Sequence, residues 1–180
     1  MKYFVISDIH GSASALEMVL EYYRKEQADG LIILGDILYH GPRNPLPIGH
    51  NPQAVVNMLN EMSQDIIAVR GNCEAEVDQM VLSFPVMADY NIIPNQKNKW
   101  FFTHGHIYNE DKLPPLNKGD IFFYGHTHIA CIKETSGIMI INPGSISLPK
   151  NNTQASFGVL ENNHFRLVSL NYETLEKIDF

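Results

Sequence analysis

The stretch Leu31-Ile32-Ile33-Leu34-Gly35-Asp36 decides how the rest of the chain is interpreted, because four apolar residues end abruptly in a glycine and a carboxylate. A short apolar run of this kind is typical of a buried β-strand, and the glycine lets the backbone turn sharply where the strand ends. Open α/β sheets bind ligands beside the carboxyl ends of their strands, where Asp36 is expected to lie. Taken alone, Asp36 would be interpreted as a turn residue or a helix cap.

Four other apolar runs also end in residue types that bind metal ions. They continue into Asp8-Ile9-His10, Gly71-Asn72-Cys73-Glu74, His104-Gly105-His106 and His126-Thr127-His128. Residues two apart on an extended strand end project to the same side, so each paired motif can direct two ligands to one place. Five of the eight histidines fall in these motifs, which argues against ordinary core histidines.

The donor set indicates which ions such a site would bind. It consists of imidazoles, carboxylates and one amide without a cysteine cluster, and it suits Mn, Fe, Co, Ni or Zn. Seven good ligands are too many for one ion. A carboxylate such as Asp36 can bridge two ions held about 3.5–4 Å apart, an arrangement that hydrolyses phosphate esters. The sequence therefore predicts two divalent ions.

Length and composition indicate a single soluble domain covering residues 1–180, with 44% hydrophobic and 18% charged residues. No apolar run approaches the ~20 residues of a membrane span, and only four apolar residues follow Lys2, so neither a membrane partner nor a secretory signal is expected. Cys73 and Cys131 form no disulfide framework, which indicates a reducing cytoplasm. The net charge of −7 argues against strong nucleic-acid binding.

Strands and helices alternate in the first half of the chain, which predicts a largely parallel sheet. A capping box of Ser14 and Glu17 is expected to begin the first helix, and Asn51 before Pro52 to begin the second. The predicted elements are strands Lys2–Ser7, Gly30–Leu34 and Ile66–Val69, the long loop Gly35–Asn51, and a short helix from about Glu74 to Leu82 before Pro85.

Strands with little helix between them follow from Val86, and they are predicted to form a β-meander in a second sheet. Ser136-Gly137 and Asn162-Asn163 are expected to be hairpin turns. The predicted strands are Val86–Ile93, Lys99–Thr103, Ile121–Tyr124, Ala130–Lys133, Ile138–Ile141, Ser156–Leu160 and His164–Leu170. We expect this sheet to pack on the first in a layered sandwich flanked by helices.

The ligand motifs resemble, in order, the five blocks of the calcineurin-like metallophosphoesterase superfamily. The blocks are Asp8-x-His10, Gly35-Asp36, Gly71-Asn72, His104 directly after a strand, and Gly125-His126-x-His128. The resemblance covers residues 8 to 128. It is strongest to the small stand-alone phosphodiesterases of the YfcE type, and it implies a four-layer α/β/β/α sandwich of two mixed sheets flanked by helices.

This resemblance also implies a dinuclear centre, with Mn(II) favoured and Co, Ni, Fe or Zn as alternatives. One ion would be held by Asp8, His10, Asp36 and His128, and the other by Asp36, Asn72, His104 and His126. Asp36 would bridge the two ions, and a hydroxide held between them would attack phosphorus in line. Asn72 would also contact the substrate.

Three further residues lie in or near these motifs but outside the family's ligand set. His106 is not a ligand in the family pattern and is interpreted as a supporting residue or an acid. Cys73 stands where many members carry a histidine that protonates the leaving group; nearby cations favour its thiolate, which makes it a poor substitute. Arg43 is either a phosphate-binding residue or a solvated loop arginine.

The remaining turn and histidines of the sequence have either two possible roles or no assigned role. The turn Asn142-Pro143-Gly144-Ser145 either supports the site, as in the family, or is only a turn. His40 and His50 have no assigned role, whereas His164 in a hairpin is expected to be structural.

The predicted function is a metal-dependent phosphodiesterase acting on a small phosphodiester. A phosphomonoesterase of the same fold is one alternative. A protein-binding scaffold like the retromer subunit of this fold is another, although the metal ligands of that subunit are degraded and these are complete. A homo-oligomer is compatible with the sequence.

Overall fold

The computed structural model describes residues 1–96 and 98–180, which form two facing mixed β-sheets. In chain order the elements are β1 (Lys2–Ile6), α1 (Ala13–Lys25), β2 (Gly30–Ile33), α2 (Pro52–Asn60), a 3-10 turn (Ser63–Asp65), β3 (Ile66–Ala68), α3 (Glu76–Val81), β4 (Tyr90–Asn95), β5 (Asn98–Thr103), β6 (Ile121–Phe123), β7 (Cys131–Thr135), β8 (Ile138–Asn142), β9 (Ser156–Glu161), β10 (His164–Ser169) and β11 (Thr174–Asp179). The two mixed sheets confirm the predicted fold class.

The first sheet has the strand order β11-β10-β9-β1-β2-β3 and the second β4-β5-β6-β8-β7. The parallel pairing of β1, β2 and β3 agrees with the alternating pattern of the first half. The predicted meander in a second sheet is wrong, because β5, β6 and β8 are parallel neighbours and because β9 and β10 belong to the first sheet, where β9 pairs with β1. A strand list alone does not reveal such crossovers. The two predicted hairpins are confirmed, since their turns join β7 to β8 and β9 to β10.

The start of α1 corrects another prediction. The N-cap is Ser12, whose hydroxyl accepts from the backbone N–H of Ala15, so the capping box of Ser14 and Glu17 is wrong. The Ser14 hydroxyl instead donates to the carbonyl of Ile48 at 3.1 Å. The Ser12 hydroxyl also donates to this carbonyl, at 2.7 Å, so both serines connect the start of α1 to the distant loop. The cap at Asn51 is confirmed.

Three other bounds differ from the prediction. α3 is shorter than the predicted helix, because the Glu74 side chain bonds to other loops and lies outside it. The strand predicted from Val86 begins only at Tyr90, since the Val86 N–H donates to the Gln79 side chain instead of joining a sheet. Strand β11 was not predicted because its exposed polar residues carry no apolar signal.

Apolar side chains alternate along the strands and fill three layers. Phe4 and Ile6 pack beneath α1 and α2. Val5 points to the other side and belongs to the cluster between the sheets, together with Phe102 and Phe123 of the second sheet. On the outer face of the second sheet, a third cluster is covered by the loop segment 104–120, where the described residues form no helix. Among the described residues, no helix has the length and apolar character needed to cross a bilayer.

Candidate metal centre

The predicted ligands gather where the carboxyl ends of the parallel strands of both sheets meet. Asp8 follows β1, Asp36 follows β2 and Asn72 follows β3. From the second sheet, His104 follows β5 directly, and the pair His126 and His128 follows β6. The strand order therefore brings together the motifs that are far apart in sequence.

Five candidate ligands have left-handed backbone conformations that L-residues rarely adopt. Their φ angles lie between 50° and 66°, and the residues are Asp8, His10, Asp36, His126 and His128. Such conformations cost about 1 kcal/mol or more each and cluster at functional sites, where they aim a side chain that regular backbone would direct elsewhere.

Two glycines allow the loops after β2 and β3 to approach each other. A Cβ on Gly35 would overlap the backbone nitrogen of Gly71, and a Cβ on Gly71 would overlap the carboxylate of Asp36. Any larger residue at either position would separate Asp36 from Asn72. The glycines of both motifs are therefore required by packing.

One ligand group forms around the imidazoles of His10 and His128. Their Nδ1 atoms lie 2.7 Å from the carbonyl of Tyr39 and 2.6 Å from that of Leu148. A carbonyl only accepts, so each Nδ1 carries a proton. Each Nε2 is left to accept a second proton or to bind a cation. The two Nε2 atoms lie 3.2 Å apart, and that of His128 lies 3.2 Å from Oδ1 of Asp8.

The other group forms around His104, whose Nδ1 donates to the carbonyl of Leu34 at 2.6 Å. Its Nε2 therefore faces three neighbours: Oδ1 of Asn72 at 3.1 Å, Nδ1 of His126 at 3.2 Å and Oδ1 of Asp36 at 3.4 Å. Burial and the neighbouring His104 lower the pKa of His126, which favours its neutral, metal-binding form.

Asp8 provides the clearest test of whether a cation fits. Its Oδ2 accepts from the Ser7 hydroxyl at 2.6 Å and from the His126 N–H at 3.0 Å, but its buried Oδ1 has no hydrogen-bond partner among the described residues. Burial opposes ionisation, yet His10 and His128 hold the pKa of Asp8 well below its usual range. An ionised, buried and unpartnered oxygen beside two imidazoles fits a metal ion.

The pKa of His10 also indicates that positive charge is favoured at this site. Burial lowers its pKa, but the carboxylates of Asp8 and Asp36 together raise it above the ordinary value. One shared proton could satisfy the contact between His10 and His128, but it would leave Oδ1 of Asp8 unpartnered. A divalent ion would satisfy all three atoms at once and would displace that proton.

Neither candidate for the acid is suited to giving up a proton at neutral pH. Burial and the neighbouring His104 lower the pKa of His106 to about 4, so its imidazole is already neutral. Burial and the Asp36 carboxylate raise the pKa of the Cys73 thiol. A thiol of raised pKa is a weak acid, and the expected thiolate depends on cations bound beside it.

Glu74 was quoted in a motif but received no role from the sequence. Its buried carboxylate accepts from three backbone N–H groups: Asp36 at 2.9 Å, Ile37 at 2.6 Å and Gly71 at 2.5 Å. It thereby joins the loop that carries Asp36 to the loop that carries Asn72. No residue pattern could reveal this role, because all three donors are main-chain groups.

A cavity of about 330 Å³ opens above the candidate ligands. Its floor includes Asp36, Asn72, Cys73, His126 and His128. The loop 41–44, which carries Arg43, and Lys150 form its walls. Sequence reasoning missed Lys150, which lies outside every motif.

The remaining candidates are distributed around the centre. Asn142 donates to the carbonyl of Gly125 at 2.8 Å, and the Ser145 hydroxyl donates to that of Asp8 at 2.8 Å, so this turn contacts two ligand-bearing loops. The described lining of the cavity does not include His40 or His50, whose rings meet edge to face with their centroids 5.6 Å apart. His164 is exposed and pairs with Asp179.

Two facing mixed sheets with carboxylates and imidazoles gathered at their strand ends are typical of metal-dependent phosphoesterases. Residues 1–164 match the calcineurin-like phosphoesterase superfamily domain, and the chain belongs to this superfamily. It is 46% identical over 175 residues to phosphodiesterase YfcE of Escherichia coli (strain K12). The aligned residues cover 97% of this chain and 95% of that protein.

Solved structures agree with this assignment. The structure of YfcE, a phosphoesterase from E. coli, superposes with a TM-score of 0.96 at 44% identity and covers 99% of both chains. Zinc-bound Vps29 from Entamoeba histolytica superposes with a TM-score of 0.64 at 20% identity over 99% of both chains, a likeness that extends to the fold alone.

Proposed function

We propose that this protein is a phosphodiesterase that works with two divalent metal ions, of which Mn(II) is favoured and Co, Ni, Fe or Zn are alternatives. The observation that carries the proposal is the unpartnered, ionised oxygen of Asp8 beside the imidazoles of His10 and His128, of which His128 lines an open cavity. The similarity to YfcE over nearly the whole chain supports a diester as the substrate.

The two groups of side chains support the division of ligands between two ions that the family pattern implies. One ion would be held by Asp8, His10, Asp36 and His128, and the other by Asp36, Asn72, His104 and His126. The carboxylate of Asp36 supports the bridging role, because its Oδ2 lies 3.7 Å from His10 and its Oδ1 lies 3.4 Å from His104. Each group thus receives one oxygen.

The bound ions would lower the pKa of a water molecule to near 7 and neutralise charge on the phosphoryl oxygens. The chain itself orients the substrate: Arg43 in the cavity wall and the Asn72 amide on its floor can both donate to non-bridging phosphate oxygens. The backbone carbonyls behind His10, His104 and His128 keep those rings oriented, so that each Nε2 is directed toward the proposed ions.

Comparing two nitrophenyl esters tests the choice of a diester. With Mn(II) present, we expect kcat/KM for bis(p-nitrophenyl) phosphate to exceed that for p-nitrophenyl phosphate by about tenfold or more, or ~1.4 kcal/mol in activation free energy. A ratio in the opposite direction would establish a phosphomonoesterase. No turnover of either ester, together with metal-free protein by elemental analysis, would favour the scaffold function.

Cys73 leads to a prediction about leaving groups. Because neither Cys73 nor His106 is suited to donate a proton, diesters with basic alkyl leaving groups should react slowly and nitrophenyl diesters quickly. Cys73→His should accelerate alkyl diesters by about 10²-fold, the lower end of the usual contribution of a general acid, and change nitrophenyl diesters little. The measurement is the slope of log kcat/KM against leaving-group pKa.

Two variants control this experiment. Cys73→Ala removes the thiol without supplying an imidazole and should leave the steep slope unchanged. If the wild-type slope is shallow, becomes steep in His106→Ala and does not respond to Cys73→His, the acid is His106 and our interpretation of Cys73 is wrong.

A further inference from the structure

Two positively charged side chains line the candidate cavity, although the protein as a whole is acidic. The chain has 20 acidic and 13 basic residues, yet Asp36, a proposed ligand, is the only acid among the described lining residues. Arg43 and Lys150 both line the cavity, and neither side chain is ion-paired to a described residue, unlike Lys2, Arg70 and Lys133. Both cations are therefore available to a ligand.

Lys150 has a fixed position beside one candidate ligand. Its backbone N–H donates to the carbonyl of His128 at 3.1 Å, and the carbonyl of Leu148, two residues earlier, accepts from the His128 ring at 2.6 Å. The carbonyl of Lys150 in turn accepts from the Thr153 hydroxyl at 2.8 Å. The segment that orients the imidazole of His128 therefore also fixes the backbone of Lys150, an exposed residue that lines the cavity.

Arg43 lies in the other wall segment of the cavity, the loop 41–44. It belongs to the turn that Asn44 closes by donating to the carbonyl of His40 at 2.8 Å. Gly41 of this turn lies against Cys73, because a Cβ there would be 3.6 Å from the thiol sulfur. Arg43 is thus associated with the Cys73 side of the floor and Lys150 with the His128 side.

A phosphodiester carries a single negative charge, which the proposed ions and Arg43 already neutralise. We propose that Lys150 forms a subsite for a second anionic group, a phosphate or a carboxylate, on one ester arm of the substrate. This inference rests on the proposed phosphodiesterase function. It places the substrate in the class of phosphodiesters that have an additional negative charge, such as diesters of phosphorylated or carboxylated alcohols.

A matched series of substrates tests the subsite. The series consists of p-nitrophenyl alkyl phosphodiesters with two to four carbons in the alkyl arm, each ending in hydroxyl, carboxylate or phosphate. All members share the leaving group, so terminal charge is the variable at each length. With Mn(II)-loaded protein, we expect kcat/KM for an anionic end to exceed that for the hydroxyl end by about tenfold, mainly through KM, as for one charge-assisted hydrogen bond. Comparing the carboxylate and phosphate ends identifies the preferred anion.

Substitutions then assign the preference to one side chain. Lys150→Ala should reduce the anionic-to-hydroxyl ratio to about one, whereas Lys25→Ala should keep it, although both remove one positive charge. Lys25 ends α1, about 20 Å along the helix from its first residue. The truncation spares the backbone bonds that orient His128. Titration calorimetry of the alkyl phosphate products should show the same loss of affinity.

The outcomes separate this inference from the proposed function. If the hydroxyl-ended diesters are hydrolysed but every ratio is near one, or if Lys150→Ala and Lys25→Ala give equal ratios, the subsite does not exist and the phosphodiesterase remains. If no diester in the series reacts, the proposed function fails first.

Discussion

Removing divalent ions with a chelator is expected to abolish phosphodiester hydrolysis and to lower the melting temperature. The stability effect follows because the ionised Asp8 oxygen would lose its counter-charge inside the protein. An ion at 100 times its Kd stabilises the native state by about 2.7 kcal/mol. For a chain of this size that corresponds to a fall of about 5–10 °C, measured by calorimetry. Mn(II), Co(II) or Ni(II) should restore both properties.

The control is the same chelator saturated with Mn(II) beforehand, which should change neither property. Full turnover by protein verified as metal-free would refute the proposed metal-dependent mechanism. Loss of turnover with an unchanged melting temperature would contradict our account of Asp8, because its unpartnered oxygen would then not need a bound ion.

The first-half strands could be predicted because each is a short apolar run with an abrupt end. The run Leu31–Leu34 covers all of strand β2 except Gly30, and its parallel partners β1 and β3 follow from the alternation of strands and helices. The parallel order of β5, β6 and β8 could not be predicted in this way. It depends on which strands meet after the long segment 104–120, and strand patterns carry no such information.

The candidate site likewise has residues that the sequence predicts and residues that it does not. The candidate ligands could be predicted because chemistry restricts them to a few residue types at the ends of strands, and the structure brings Asp8, His10 and His128 together. The roles of Glu74 and Lys150 could not be predicted. Glu74 acts through backbone N–H groups, and Lys150 reaches the cavity through a turn that packs on His128.

Asp36→Asn is expected to weaken both ions, since Asp36 is the proposed ligand common to the two groups. Asparagine keeps the shape and can still accept from the Cys73 N–H, which lies 3.0 Å from Oδ1, but it removes the negative charge between the groups. We expect a loss in affinity of more than about 100-fold at each site, beyond the 10–100-fold typical of a lost supporting residue. His10→Ala should instead weaken mainly one ion. Titration calorimetry with Mn(II) measures both affinities.

The exposed Asp111 offers a matched control, because Asp111→Asn removes the same charge and should leave both affinities unchanged. Far-UV circular dichroism in excess chelator establishes that each variant is folded, so that weaker binding reflects the centre itself. If folded Asp36→Asn binds two ions with nearly native affinity, Asp36 is not the bridge. If it loses only the ion on the His10 side, the Oδ1 contact to His104 is not a metal bridge, and Asp36 is a ligand of one ion only.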